Sequence, residues 1–248
     1  MCGRYVQTSP ADALATRFGA RLPEGIAWTP RWNVAPGTRA PLVRDDGDGP
    51  VLAFLTWGLC PSWARDESGV RPINARAEGI GGKPMFRDAI RRRRAVVPAD
   101  AFYEWKVEVS GKTPWLFRLA GGGPFGFAGL WERREIPGAE PLESFAIVTT
   151  VANELVRPVH ARMPVLLDAQ TEVLWRRQGP LSTAEVEQCL VPIDAGAMEA
   201  WPISTWVNAA SHDGPRCVEP ARSRRRRRDS AARFRSRDTV LPMNRPGS

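Results

Sequence analysis

Ala101-Phe102-Tyr103-Glu104-Trp105-Lys106-Val107-Glu108-Val109 reads as a β-strand, because Glu104, Lys106 and Glu108 alternate with Tyr103, Trp105 and Val107 in a run rich in aromatic and β-branched residues. Outward from it lie further runs of strand type: Val51 to Trp57 and Ala95 to Val97 upstream, Trp115 to Leu119, Phe125 to Trp131 and Ser144 to Thr150 downstream. Short helices punctuate this order. Ser9-Pro10-Ala11-Asp12 places an N-cap, a Pro at the first helical position and an early acid ahead of a helix that Gly19 closes. Helices are also predicted at Ala169 to Arg177 and, behind the Ser182-x-x-Glu185 capping box, at Thr183 to Leu190. Residues 20 to 50 read as largely irregular. Regular strand-helix alternation is absent, which excludes a doubly wound parallel sheet. The pattern predicts an α+β fold, a single mixed domain with a curled, barrel-like, largely antiparallel sheet flanked by short helices.

The chain has 248 residues, 43% hydrophobic and 25% charged, enough to bury one sizeable core. Its +8 net charge is unevenly placed. Residues 221–248 hold ten arginines against Asp229 and Asp238 and so carry the whole surplus, while residues 1–220 balance 25 basic with 25 acidic side chains. The division expected is a globular domain over 1–220 and a disordered Arg-rich tail over 221–248, whose attraction to polyanions would be weak and salt-sensitive. Arg91 to Arg94 reads as the solvated C-terminus of a short helix after Pro84. Cys2, Cys60, Cys189 and Cys217 show no CxxC pairing and no His at ligand spacing, so reduced thiols, no metal and no cofactor are expected. The first thirty residues lack a signal-type apolar segment, and no apolar run reaches the ~18–20 residues of a membrane span. A cytoplasmic monomer is the expectation.

Cys2 follows Met1 directly, and removal of Met1 would expose a 1,2-aminothiol. An α-amino group titrates near ~7.7–8.0 and a thiol near ~8.5, so close to neutrality the amine is partly unprotonated and the thiolate is expected to be accessible. The amine forms an imine with an aldehyde, and the sulfur closes onto the same carbon to give a thiazolidine. Alone, Cys2 reads equally as a small buried hydrophobe. His160, one of two histidines, reads alone as a structural group, Glu104 as a solvated carboxylate on the charged face of its strand, and Asn74 as a turn or helix cap.

Met1-Cys2-Gly3-Arg4-Tyr5, Asn33-Val34-Ala35-Pro36-Gly37, Trp57-Gly58-Leu59-Cys60-Pro61-Ser62-Trp63, Ile73-Asn74-Ala75-Arg76-Ala77-Glu78, Phe102-Tyr103-Glu104-Trp105-Lys106 and Val159-His160-Ala161-Arg162-Met163-Pro164 occur in this order. Together they closely resemble the SOS-response-associated peptidase (SRAP) family, abasic-site processing proteins that crosslink to damaged single-stranded DNA, from residue 2 to about residue 220. The resemblance implies Cys2 as nucleophile, Glu104 and His160 as the acid/base pair and Asn74 as the orienting amide. It implies single-stranded DNA containing abasic sites as partner. Arg4, Arg76 and Arg162 each follow a proposed site residue by two positions, a spacing that on extended backbone keeps both side chains on one face, and they read as phosphate contacts; Trp105 and Trp63 read as stacking platforms and Pro36 as a further DNA contact. Two other readings stay open: a thiol peptidase or amidohydrolase using the same cysteine, including autoproteolytic release of Met1, and a noncovalent single-strand binder.

Overall fold

The computed structural model describes residues 2–25, 28–64 and 69–221. The Arg-rich stretch from Arg222 onward, expected to be disordered, and Met1 itself lie outside the described residues. Strands β1 (Tyr5–Gln7), β2 (Arg31–Val34), β3 (Arg39–Asp45), β4 (Pro50–Trp57), β5 (Asn74–Arg76), β6 (Arg94–Ala99), β7 (Ala101–Glu108), β8 (Gly111–Leu119), β9 (Phe125–Ile136), β10 (Ala139–Val151), β11 (Arg162–Pro164), β12 (Leu166–Leu167) and β13 (Met198–Pro202) form two sheets. Helices α1 (Ala11–Phe18), α2 (Arg87–Arg92), α3 (Ala169–Arg176) and α4 (Thr183–Cys189) are all short.

The second sheet closes on itself. Its order is β11-β10-β4-β3-β6-β9-β12, and β9 pairs with β10 as well as β6, so the path β10-β4-β3-β6-β9 returns to its start as a barrel. Most pairings are antiparallel, but β10 runs parallel to both β4 and β5. The other sheet, β13-β8-β7-β1-β2, packs on the barrel and carries the start of the chain beside β7, where Tyr5 pairs with Phe102. The expected α+β fold with a barrel-like, largely antiparallel sheet is what the chain forms.

Barrel strands bury both faces, which explains why their sequences are apolar runs. Leu42, Val97, Phe127, Phe145 and Ile147 join Tyr5, Phe102 and Phe117 of the five-stranded sheet in one cluster. Their neighbours Val43, Val96, Ala128, Ala146 and Val148 face Leu14 and Phe18 of α1 and Trp175 of α3 in a second.

Three expectations are corrected. Residues 20 to 50 are not irregular: they contain β2 and the seven-residue β3. Pro41 hides β3 in the sequence, yet β3 meets β6 only at Val43 and Val96, so the missing amide costs no ladder bond there. Ser9 does not cap α1; Pro10 stands at the N-cap without a side-chain bond, and the Ser9 hydroxyl goes instead to the Asp100 carboxylate, which also accepts the Thr8 and Ser9 amides. Gly19 does close the helix, in the left-handed conformation at φ 58° that favours glycine. Arg91 to Arg94 is not simply a solvated terminus. Arg94 is buried, and its guanidinium donates to the carbonyls of Ile90, Trp175, Arg177 and Gly179, tying α2 to the end of α3, while Arg93 pairs with buried Glu132. The Ser182/Glu185 capping box of α4 forms with both reciprocal bonds.

Gly126 and Gly129 on β9 let side chains of β6 and α3 pack closely against that strand. A Cβ on Gly126 would lie 2.3 Å from Val96 Cγ1 and 3.2 Å from Glu172 Oε1, and one on Gly129 would lie 2.8 Å from Val97 Cγ2. Valine has little freedom to yield in a buried strand. Gly126→Ala is expected to destabilise the fold by about 1–3 kcal/mol, read as a lowered calorimetric Tm. Gly121→Ala, which meets nothing within 4 Å, is the neutral control.

Candidate functional site

Cys2 enters the core just ahead of β1. Its side chain is fully buried in the cluster shared by the two sheets, and its thiol lies 3.9 Å from the Arg4 carbonyl. Burial, and then the negative charge of Glu104, hold the thiol far above its usual pKa. The expectation of an accessible thiolate is therefore corrected: Cys2 sits inside as a protonated thiol because its strand leads into the hydrophobic interior.

Asn74 reaches Cys2 from the barrel. It lies on β5, aligned with Ile147 of β10, and its Nδ2 donates to the Cys2 carbonyl at 2.8 Å. It is a strand residue and not a helix cap, and its Oδ1 is buried with no hydrogen-bond partner among the described residues. Cys2 is thereby fixed to a strand 72 positions away in sequence.

Glu104 on β7 is 3% exposed, which overturns the reading of a solvated carboxylate. The inner half of β7, Ala101 to Glu104, is buried on both faces, whereas Val107 and Glu108 project into solvent. Strand periodicity cannot register this change of environment along one strand. Burial pushes the Glu104 carboxyl above its usual range, opposed by the charge of His160. His160 Nδ1 lies 4.0 Å from Glu104 Oε1. The turn before His160 is shaped by Asn153, whose Oδ1 accepts the Val156 amide at 3.0 Å and whose Nδ2 donates to the Ile193 carbonyl at 3.0 Å. His160 Nδ1 is 3.0 Å from both the amide nitrogen and the carbonyl oxygen of Arg162. A neutral ring accepts from that amide, and a protonated ring donates to that carbonyl, without moving.

Gly3, Arg4, Glu104, Trp105 and His160, with Val107, Lys112 and Asn208, line an open groove of about 630 Å³ that reaches the residue after Cys2. Arg4 donates to Asn33 Oδ1 at 3.0 Å and to the Val207 carbonyl at 3.1 Å, with its guanidinium 6.0 Å from the Trp105 ring. Trp105 Nε1 donates to Asn208 Oδ1 at 2.8 Å. The remaining expected contacts lie outside this groove. Arg162 is engaged in a two-point ion pair with Glu78, at 2.9 and 3.0 Å, and with the Thr149 carbonyl. Arg76 is exposed at the end of β5, Trp63 is 61% exposed on the loop after β4, and Pro36 is exposed in the turn after β2. Lys112, Val107 and Asn208 escaped the sequence reading. The cross-strand pairing of Val107 with Lys112 was the available signal for two of them. A second depression of about 530 Å³ lies against α2 and α3, but Arg44 there is bound by Glu143 and Arg177 by Glu185, and none of the expected site residues faces it.

Among the described residues no group of three or more His, Cys, Asp or Glu is placed to hold a metal ion, and no helix is long and apolar enough to cross a membrane.

The model of the family described as SOS response associated peptidase (SRAP) matches residues 1–210. The abasic site processing protein YoqW of Bacillus subtilis (strain 168) is 39% identical over 223 residues, covering 88% of this chain and 99% of that one. The abasic site processing protein YedK of Escherichia coli (strain K12) is 29% identical over 226 residues, covering 89% and 100%. A crystal structure of a protein from Bacteroides thetaiotaomicron superposes with a TM-score of 0.80 at 28% identity, covering 89% of this chain and all of that one.

All four cysteines are buried and unpaired, and burial pushes Cys189 and Cys217 up to about 11. In the chain that retains Met1, a thiol-specific chromogenic disulfide is expected to react sluggishly at neutral pH and to titrate all four thiols after unfolding. Rapid native labelling of Cys2, located by peptide mass, would contradict its placement.

Proposed function

Because the chain belongs to the SOS-response-associated peptidase family, we propose that it processes abasic sites in single-stranded DNA by joining them to Cys2 after Met1 is removed. The observation that carries this reading is the convergence of Asn74 on the Cys2 backbone at 2.8 Å beside a Glu104–His160 pair 4.0 Å apart. A buried aminothiol, a raised carboxyl and a neighbouring imidazole form a complete set for aldehyde capture.

In the proposed reaction the freed Cys2 amine attacks C1′ of the ring-opened deoxyribose, and His160 moves the proton from nitrogen to oxygen to give a neutral carbinolamine. Glu104, whose carboxyl burial holds above its usual range, acts in its protonated form and delivers that proton to the hydroxyl, which leaves as water, and an iminium remains. The Cys2 sulfur adds to the same carbon as its S–H proton passes to the Glu104 carboxylate, restoring the acid. One aldehyde and one aminothiol thus give one thiazolidine and one water. A thiol that stays protonated until this step suits such a sequence, because its proton is the one that regenerates Glu104. The Asn74 Oδ1, buried without a partner among the described residues, is suited to accept from the amine or a sugar hydroxyl and hold it in line.

Intact mass after incubation with a single-stranded oligonucleotide bearing one abasic site tests the reading. A denaturation-resistant adduct is expected for the native chain and none for Cys2→Ala. Full conjugation by material that still carries Met1 or an acetylated terminus would overturn it. Peptide turnover without an adduct would favour the peptidase reading, and retention of the strand without an adduct the noncovalent one. Glu104→Gln is expected to slow conjugation about 10²–10⁴-fold. Since Glu104 acts as the acid and its pKa is raised, the rate falls as pH increases through that raised value. Glu104→Gln removes this dependence.

A further inference from the structure

Beyond Trp105 the β7–β8 hairpin leaves the core, and its surface has no assigned role. Val107 pairs directly with Lys112, and Trp105 with Pro114. Directly paired residues share a face, as do residues two apart along a strand, so these four side chains form one surface. That surface continues from the groove: Val107 and Lys112 line it together with Arg4, Glu104 and His160. Val107 is 75% exposed beside the groove, and Val109, in the turn that follows, is fully exposed. On the other face Lys106 pairs with Glu108 at 3.7 Å. The two groove cations differ. Arg4 is engaged by Asn33 and the Val207 carbonyl, whereas Lys112 has no hydrogen-bond or ion-pair partner among the described residues.

We infer that the outer half of this hairpin is a binding arm for the strand flanking the lesion, with Lys112 holding a backbone phosphate and Val107 packing against the adjoining sugar or base. The inference rests on the DNA-processing reading above. Trp105, its indole fixed by Asn208, lies between the arm and the Glu104–His160 pair and supplies a flat surface where the strand enters. Val107 lies about 7 Å further along β7, at two residues of strand rise, and so meets a neighbouring nucleotide instead of the sugar at Cys2. The partner is an anionic polymer with alternating charged and flat apolar groups, which matches a cation and an exposed aliphatic side chain on one face. No base edge is read, so the arm is tolerant of sequence.

The test uses the full chain and two reporters: equilibrium binding of an intact single-stranded oligonucleotide, and conjugation kinetics with the abasic oligonucleotide and with free 2-deoxyribose, which has no flanking phosphate. Lys112→Ala is expected to weaken oligonucleotide binding several-fold and to reduce the slope of log affinity against log salt by about 0.7, the value for one phosphate contact on a single strand. Its rate with 2-deoxyribose stays at the parent value, and Lys112→Arg restores both affinity and slope. Val107→Asp weakens binding more than Val107→Ala. Binding and salt slope unchanged in Lys112→Ala would overturn the arm, as would an equal loss with the free sugar, which would place Lys112 in the chemistry. A parent chain that binds the strand but forms no conjugate refutes the covalent reading alone, and the binding isotherms still decide the arm.

Discussion

The double pairing of β9 is the constraint from which the rest of the molecule follows. By bonding to β6 on one side and β10 on the other, it closes the barrel and fixes the position of β10. β10 in turn carries β5, with Asn74, on a parallel ladder and β11, with Arg162, on an antiparallel one. Gly126 and Gly129 make that closure possible by leaving room for the β6 valines. The site is thus assembled by long-range strand pairing, with Cys2 and Glu104 from one sheet meeting Asn74 from the other.

The same organisation determines the electrostatics. The described domain is close to neutral, and many of its arginines are consumed internally: Arg94 by five carbonyls, Arg17 by buried Glu172, Arg162 by Glu78 and Arg44 by Glu143. A count of basic residues therefore overstates the charge presented to a polyanion. What distinguishes the groove is a buried carboxyl held up by desolvation beside an imidazole, which is the kind of perturbed pair that acid/base chemistry requires.

Where a strand is buried on both faces or alternates cleanly, as at Val51 to Trp57 or Phe125 to Trp131, the sequence alone located it. β3 was obscured by Pro41, and β5, β11 and β12, only two or three residues long, carry too little periodicity to stand out. The two helices with reciprocal capping bonds, α3 and α4, began where their side chains predicted. α1 kept its place but lost its Ser9 cap, because a carboxylate distant in sequence offered that hydroxyl a charged acceptor. For the site, ordered motifs singled out Cys2, Asn74, Glu104 and His160, and the fold brings them together. Burial of the Cys2 thiol and of Glu104 was not legible, since both depend on the second sheet that covers them. Lys112 and Asn208 were missed because neither stands in a recognisable motif and each becomes relevant only through a partner strand or loop.

β7 passes through two mechanical regimes within eight residues. Its first half is clamped between β1 and β8 and buried on both faces, so its amides open only when the whole domain does. Its second half has β8 as its one strand neighbour and ends in exposed Val107 and Glu108, the kind of solvated edge from which local opening starts. A single continuous backbone therefore joins an immobile carboxylate to a compliant tip, and the tip can accommodate differing shapes without transmitting displacement to Glu104.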